Sequence, residues 1–289
     1  MLTFFTCPKS FVDGHTAVIQ WNAIRSWTLL KPTPQIILCG NEPGIADICK
    51  EFSLVHVREL DCNENGVPFV SDIFRRARAV SKSRLMCYIN TDIILGQDFI
   101  GAICSLAKWN RKWVMIGARI DIEMCHRIDF GSPAWQSRVR EIAASRGRPM
   151  DLSTDYFVFP SEIYSDLPDF AVGRPAYDNW LLWRTRRLGA ALIDASSDVL
   201  AVHQLHDAAS PTHAKSAETA NNRELAGQWP ATFILADASH QLRQGMVKSN
   251  YIRHIRARLS GFGQVSRGYF RQIAWLRRVL GKSVLEKCR

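Results

Sequence analysis

Three short polar stretches, each at the edge of an apolar run, hold the residues best able to do chemistry. The first is Asn90-Thr91-Asp92, which follows the run Leu85–Ile89. A carboxylate beside an amide at a strand's carboxyl end suits a hard divalent cation that holds a diphosphate. The same Asp92 could instead cap the next turn. The second stretch is His203-Gln204-Leu205-His206-Asp207, after Ala201-Val202. Neutral imidazole ligates Mn- or Zn-class ions. His203 and His206 stand three apart, and on a strand that spacing puts them on opposite faces, so it predicts that only one of them joins an ion. An ordinary pair of core or surface histidines is the alternative. The third is Asp178, which follows Gly173 and Pro175 and opens a helix bearing Trp180, Leu181 and Leu182. A carboxylate there caps the helix or, aimed into a pocket, takes a proton from a hydroxyl.

These residues need a scaffold, and the first 120 residues alternate between two kinds of segment. Apolar runs at Leu2–Phe5, Ile36–Cys39, Leu54–Val57, Leu85–Ile89 and Trp113–Ile116 read as buried strands. Between them lie helical stretches at His15–Leu30, Ile45–Phe52, Val70–Ser81 and Phe99–Trp109. Strand–helix alternation with short connections predicts an α/β fold with a mostly parallel sheet covered on both faces. Ligands of such sheets bind at the carboxyl ends of the strands. Further on, Asp155–Phe159 reads as a strand and Asp178–Leu188 as a helix. Leu192–Val202 reads as a strand broken at Ser196-Ser197, and a modest helix follows around Ala220–Leu225.

Charge divides the chain. Met246 to Arg289 holds eleven Lys/Arg against the single Glu286, so the whole net charge of +10 belongs to that segment. Residues 1–245 are neutral overall, which excludes nucleic-acid binding through bulk charge. The expected organisation is a globular domain over 1–245 and a basic tail over 246–289. Within the tail, Tyr269, Ile273, Leu276, Leu280 and Val284 form an apolar stripe with Arg271, Arg278 and Lys282 opposite. A basic amphipathic helix of that kind can lie on an anionic membrane surface or dock on protein. Cys39, Cys87 and Cys104 sit inside apolar runs, where a thiol behaves as a small hydrophobe, and no CxxC pair occurs. With no signal-peptide pattern and no span-length apolar run, the expected location is cytoplasmic, with the tail offering peripheral attachment to the inner membrane face.

There is no GxGxxG, P-loop or GxSxG motif. Taken in order, a parallel strand–helix half, an acidic motif after a middle strand, a later Asp at a helix start and a final His resemble a GT-A nucleotide-sugar glycosyltransferase. The stretch His203–Asp207 also resembles the HQxHD signature of a group of bacterial glycosyltransferase-like proteins. The resemblance implies a GT-A-like, Rossmann-type fold over 1–245 and Mn²⁺ or Mg²⁺ as cofactor. The partners it implies are a nucleotide-sugar donor and a hydroxyl on a glycan or lipid-linked acceptor. Asn90-Thr91-Asp92 matches the family's DxD as an NxD variant, and His203 or His206 matches the final metal ligand. Asp178 matches the later acid, the acceptor's base in inverting members. Asp92, Asp178 and at least one histidine are therefore expected to share one pocket. Lys9, after the first strand, would contact phosphate or stand solvated at the surface. Asp155, ending the stretch Asp151–Asp155, would position an acceptor hydroxyl or cap a turn, and the loop Asp61–Pro68 would shape a base pocket. Two other readings stay open: a sugar-phosphate nucleotidyltransferase, and a non-catalytic nucleotide-sugar-binding or scaffold protein.

Overall fold

The computed structural model describes residues 2–12, 14–150, 154–206, 213–228 and 230–250. The tail helix read over 269–284 and residues Asp151–Ser153 and Asp207 lie outside them. The order begins β1 (Leu2–Thr6), α1 (Gly14–Thr28), β2 (Gln35–Cys39), α2 (Ile45–Phe52), β3 (Val55–Val57), α3 (Val70–Val80), β4 (Leu85–Ile89). It continues β5 (Ile93–Leu95), α4 (Gln97–Ala107), β6 (Trp113–Ile116), β7 (Arg119–Ile122), α5 (Trp135–Arg146), β8 (Arg148–Met150), β9 (Tyr156–Pro160). The last elements are α6 (Tyr177–Arg187), β10 (Ala191–Asp194), β11 (Ala201–Gln204), α7 (His213–Ala226), β12 (His240–Arg243) and β13 (Met246–Ser249).

A nine-stranded sheet runs β13-β12-β10-β6-β9-β4-β1-β2-β3. Its strands are parallel except for β9, which runs antiparallel between β4 and β6, and β13 at the edge. Consecutive side chains of a strand point to opposite faces, so Phe4 packs on Trp27 and Phe99 on one side while Phe5 packs on Phe74 and Phe159 on the other. All of these rings are buried, each burial worth about 1.5–3 kcal/mol. With both faces covered, the strands read as continuous apolar runs, which is why they were legible.

A second, four-stranded sheet runs β5-β11-β7-β8. The expected strand at 192–202 is therefore two strands in two sheets. β10 lies beside β6 in the large sheet, and after the Ser196-Ser197 turn β11 lies between β5 and β7 in the small one. The chain crosses between the sheets six times: at 90–92, 117–118 and 195–200, through α4 between β5 and β6, between β8 and β9, and between β11 and β12. β13 carries the large sheet past residue 245, where the charge balance changes, and the compact unit runs to Asn250. Cys39 and Cys87 are buried as read, but Cys104 is exposed on α4, because its run is a helix whose outer face meets water. Among the described residues no helix is long and apolar enough to cross a membrane.

Candidate functional site

A cleft of about 1240 Å³ opens where β1, β2, β3 and β4 end, lined there by Thr6, Gly40, Arg58 and Asn90. This is the carboxyl edge at which open α/β sheets bind ligands. Its volume exceeds that of a typical small-molecule pocket. The opposite wall comes from the loop before α6 (Val172, Gly173, Arg174, Pro175), Tyr177, and Ser216, Thr219 and Arg223 of α7. Glu218 of α7, 5% exposed, fastens this wall: it accepts hydrogen bonds from Asn63 (3.1 Å), Asn65 (3.2 Å) and Arg174 (2.6 Å). The loop 61–68 thus touches the cleft through Cys62 and Val67 while its asparagines hold α7 in place.

Asp92 stands on the cleft wall in the turn between β4 and β5, with Asn90 and Thr91 beside it. Its backbone is held by Gln204, whose amide N–H (3.1 Å) and side-chain Nε2 (3.2 Å) both donate to the Asp92 carbonyl. Its carboxylate faces both histidines: Oδ2 lies 3.5 Å from His203 Nε2 and 3.3 Å from His206 Nε2. Burial alone would raise the carboxyl's pKa, but the hydrogen bonds and charges of the two histidines hold it well below the usual carboxylate range. The other oxygen, Oδ1, is buried and has no hydrogen-bond partner.

The opposite-face expectation for the histidines fails for a local reason. β11 ends at Gln204, so strand alternation stops before His206, and the chain turns its ring back to within 5.7 Å of the His203 ring. One carboxylate and two imidazoles therefore offer ligand atoms within 4.8 Å of one another. The unpartnered Oδ1 and this donor set fit a divalent cation. Two nitrogen donors suit Mn²⁺-class ions better than Mg²⁺, which prefers oxygen and its own waters.

Asn90 sits on the cleft, but its side chain is committed elsewhere, Nδ2 donating to Asp155 Oδ1 at 2.7 Å. Asp155 is 7% exposed and does not line the cleft; Arg119 Nη1 donates to both its oxygens, at 2.8 and 2.9 Å. Its pKa is raised by burial, with the Asp92 charge adding and Arg119 opposing. Lys9 is exposed at the cleft edge, its backbone N–H held by Gln20 Oε1 at 2.7 Å. Asp178 opens α6 as expected, yet its neighbour Tyr177 lines the cleft and Asp178 does not. Asp178 Oδ1 is buried without a hydrogen-bond partner. Burial raises its pKa, backbone N–H groups oppose this, and the Asp155 charge adds to the rise. Of the expected set, Asp92 and His206 line the cleft, His203 backs Asp92, and Asp178 sits behind the wall.

Sequence reasoning missed Arg119 and Asp121. Their signal was available only as an alternation, two charged residues spaced by Ile120 on an otherwise apolar segment, which places both on one strand face. Cys7 also lines the cleft, but burial, then the Glu42 charge, push its thiol up to about 12, so it is no nucleophile at neutral pH.

No family model and no curated protein matches the chain. Among solved structures, it is similar to glucosyl-3-phosphoglycerate synthase of Mycobacterium tuberculosis in complex with Mn²⁺, UDP and phosphoglyceric acid. Identity is 13%, 81% of this chain and 79% of that one are covered, and the TM-score is 0.47. It is also similar to a protein of Desulfovibrio desulfuricans described as a nucleotide-diphospho-sugar transferase, at 11% identity, covering 68% and 79%, with a TM-score of 0.40. Likeness at this level assigns no chemistry, which rests on the residues of the cleft.

Proposed function

We propose that the protein is a GT-A-like glycosyltransferase that moves a sugar from a nucleoside-diphosphate donor to an acceptor hydroxyl. One observation carries the reading: Asp92, with an unpartnered buried oxygen, faces two imidazoles on the wall of a large cleft at the carboxyl ends of parallel strands. Asp92, His203 and His206 would hold Mn²⁺ or Mg²⁺, with Mn²⁺ the better match to two imidazoles. Bound there, the cation would offset the charge that develops on a leaving diphosphate. Lys9 and Arg58, on the same cleft, would face the donor's anionic groups.

Asp178 is the proposed base towards the acceptor hydroxyl. Its raised pKa and free Oδ1 suit a proton acceptor, and it stands one residue from the cleft wall at Tyr177. That same position behind the wall favours a second reading, donor binding without transfer. The proposed acceptor is a glycan or lipid-linked molecule, and the basic segment 250–289 would bring the protein to an anionic membrane. Binding of the full chain to anionic vesicles at low salt tests that last point.

Thermal-shift screening of nucleoside-diphosphate sugars with and without Mn²⁺ tests donor binding, because a ligand of the folded state raises its melting temperature. Stabilisation should require Mn²⁺. Release of nucleoside diphosphate in the presence of an acceptor then separates transfer from binding alone. Absence of any Mn²⁺-dependent shift across the common donors would overturn the proposal.

A further inference from the structure

Behind the Asp92–histidine cluster lies a chain of charged side chains that substrate need not touch. His203 Nδ1 lies 2.9 Å from Asp121 Oδ1, and the same Asp121 oxygen accepts Arg119 Nε at 2.8 Å. Arg119 Nη1 reaches across to Asp155, which in turn accepts from Asn90. The backbone builds this directly. β7 and β11 are parallel neighbours with His203 paired to Asp121, so the two side chains stand side by side on one face. Arg119, two residues back on β7, shares that face.

The charges here are costly to bury. Asp121 is 8% exposed and Asp155 7%. Buried carboxylates destabilise unless paired and hydrogen-bonded, and Arg119 serves both. Its planar fork presents Nε to one acid and Nη1 to the other, a geometry that an ammonium group cannot reproduce.

We propose that Asp121 and Arg119 are positioning residues for the cation centre. Asp121 accepts the Nδ1–H of His203 and so aims the lone pair of Nε2 at the space beside Asp92. Arg119 holds Asp121 and, through Asp155, keeps His203 in register with the Asn90-Thr91-Asp92 turn. The inference rests on the reading of Asp92, His203 and His206 as cation ligands. It adds that two separate sequence segments are locked together by one guanidinium on a third. A carboxylate that accepts from a ligating histidine's second nitrogen fixes its tautomer and ring orientation, and losing such a partner weakens metal binding about 10–100-fold.

The experiment is titration of the full-length chain with Mn²⁺ alone, followed by electron paramagnetic resonance of the free ion, for wild type, Asp121→Asn and Arg119→Lys. Each protein's thermal melt is recorded beside it. Wild type should bind, Asp121→Asn should bind about 10–100-fold more weakly, and Arg119→Lys should weaken binding less. A folded Asp121→Asn with wild-type affinity overturns this inference and leaves the metal reading standing. A wild-type protein that takes up no Mn²⁺ overturns both. A second readout needs no variant: in Zn²⁺-loaded wild type, ¹⁵N spectra of the histidine rings should show His203 protonated at Nδ1 with Nε2 on the metal. Protonation at Nε2 overturns the assignment even if Asp121→Asn fails to fold.

Discussion

The two sheets of this protein are built on opposite principles. The large sheet is apolar on both faces, its rings stacked around Phe4, Phe5, Trp27 and Phe74. The small sheet packs Ile94, Ile122 and Val202 of one face with Trp135 and Val139 of α5, and carries on β7 and β11 the charged chain from Arg119 through Asp121 to His203. Every polar residue of the candidate centre lies in the small sheet or where the chain crosses between the two. Asp92 is in the β4–β5 crossing, Asp155 in the β8–β9 crossing, and Arg119 directly after the β6–β7 crossing. A crossing interrupts the ladder and frees a side chain to point along the sheet edge instead of into a core. On the proposed reading, the large sheet supplies stability and its junction with the small one would supply the chemistry.

The strongest way to break that division is Asp92→Ala. If the junction serves chemistry, this change removes Mn²⁺ binding and transfer, a loss beyond the about 10–100-fold typical of supporting residues. It should lower the neutral-pH melting temperature without abolishing the fold, since a carboxyl whose folded pKa is depressed by the two histidines adds stability above its unfolded pKa. Calorimetry beside a metal titration reads both. A collapsed fold would make Asp92 a structural residue.

The same division explains what was legible in the sequence. β1, β2, β4, β6 and helices α1 to α4 could be read because burial on a regular element imposes a period on nearby residues. The strands β5, β7 and β8 could not, since β5 follows β4 after three residues, β7 breaks its apolar pattern with Arg119 and Asp121, and β8 is exposed. Asp92 and His206 were legible as candidates because strand ends expose polar oxygens and nitrogens. That both histidines meet Asp92 was not, because the period-two rule holds only while the strand lasts, and β11 stops at Gln204. The role of Asp121 depends on a ladder pairing 82 residues away, a separation that no local pattern reports.

Asp178→Asn sharpens the comparison from the other wall of the cleft. As a base, Asp178 should contribute about 100–10,000-fold to transfer and nothing to donor binding. Only the deprotonated carboxylate accepts a proton. With its pKa raised, chiefly by burial, the acid limb of the transfer rate should lie above the ordinary carboxylate value of about 3.9. A raised pKa in the fold also means that its stabilising contribution is lost as pH rises through that value. Asn should thus hold or improve the neutral-pH melting temperature. Equal loss of binding and transfer would make Asp178 a cap and favour the non-catalytic reading.

Gly117→Ala tests the junction itself. A Cβ at Gly117 would lie 2.2 Å from the Tyr156 hydroxyl, on the crossing from β6 to β7. Overpacking of this kind costs about 1–3 kcal/mol. Because Arg119 follows two residues later, the variant should also weaken Mn²⁺ binding, unlike a substitution elsewhere in the large sheet. Denaturant unfolding and metal titration measured together show whether the two effects travel as a pair. Lost stability with unchanged Mn²⁺ affinity would mean that the sheets are mechanically independent.

The smallest expected effect lies in the large-sheet half, at its own buried acid. Asp72, in the first turn of α3, is 3% exposed; its carboxylate accepts the Asp61 amide at 2.8 Å and Arg76 Nε at 2.7 Å, and also pairs with Arg75. Burial pulls its pKa upward, but the Asp61 amide and then the Arg76 guanidinium overcome this and hold it below the ordinary value. A carboxyl whose folded pKa is depressed adds stability above its unfolded pKa and loses it as pH falls through the folded one. Asp72→Asn keeps the shape and the bond from Asp61 while removing the charge. The expected cost at pH 7 is about 1 kcal/mol, the gap between a charged and a neutral hydrogen bond. The difference from wild type should persist through mildly acidic pH and narrow only below about 3.9. Urea midpoints across that range read the sign. Mn²⁺ affinity should not move, since Asp72 touches none of the residues that hold Asp92, and a shift there would put the loop after β3 in contact with the cation centre and blur the line between the two sheets.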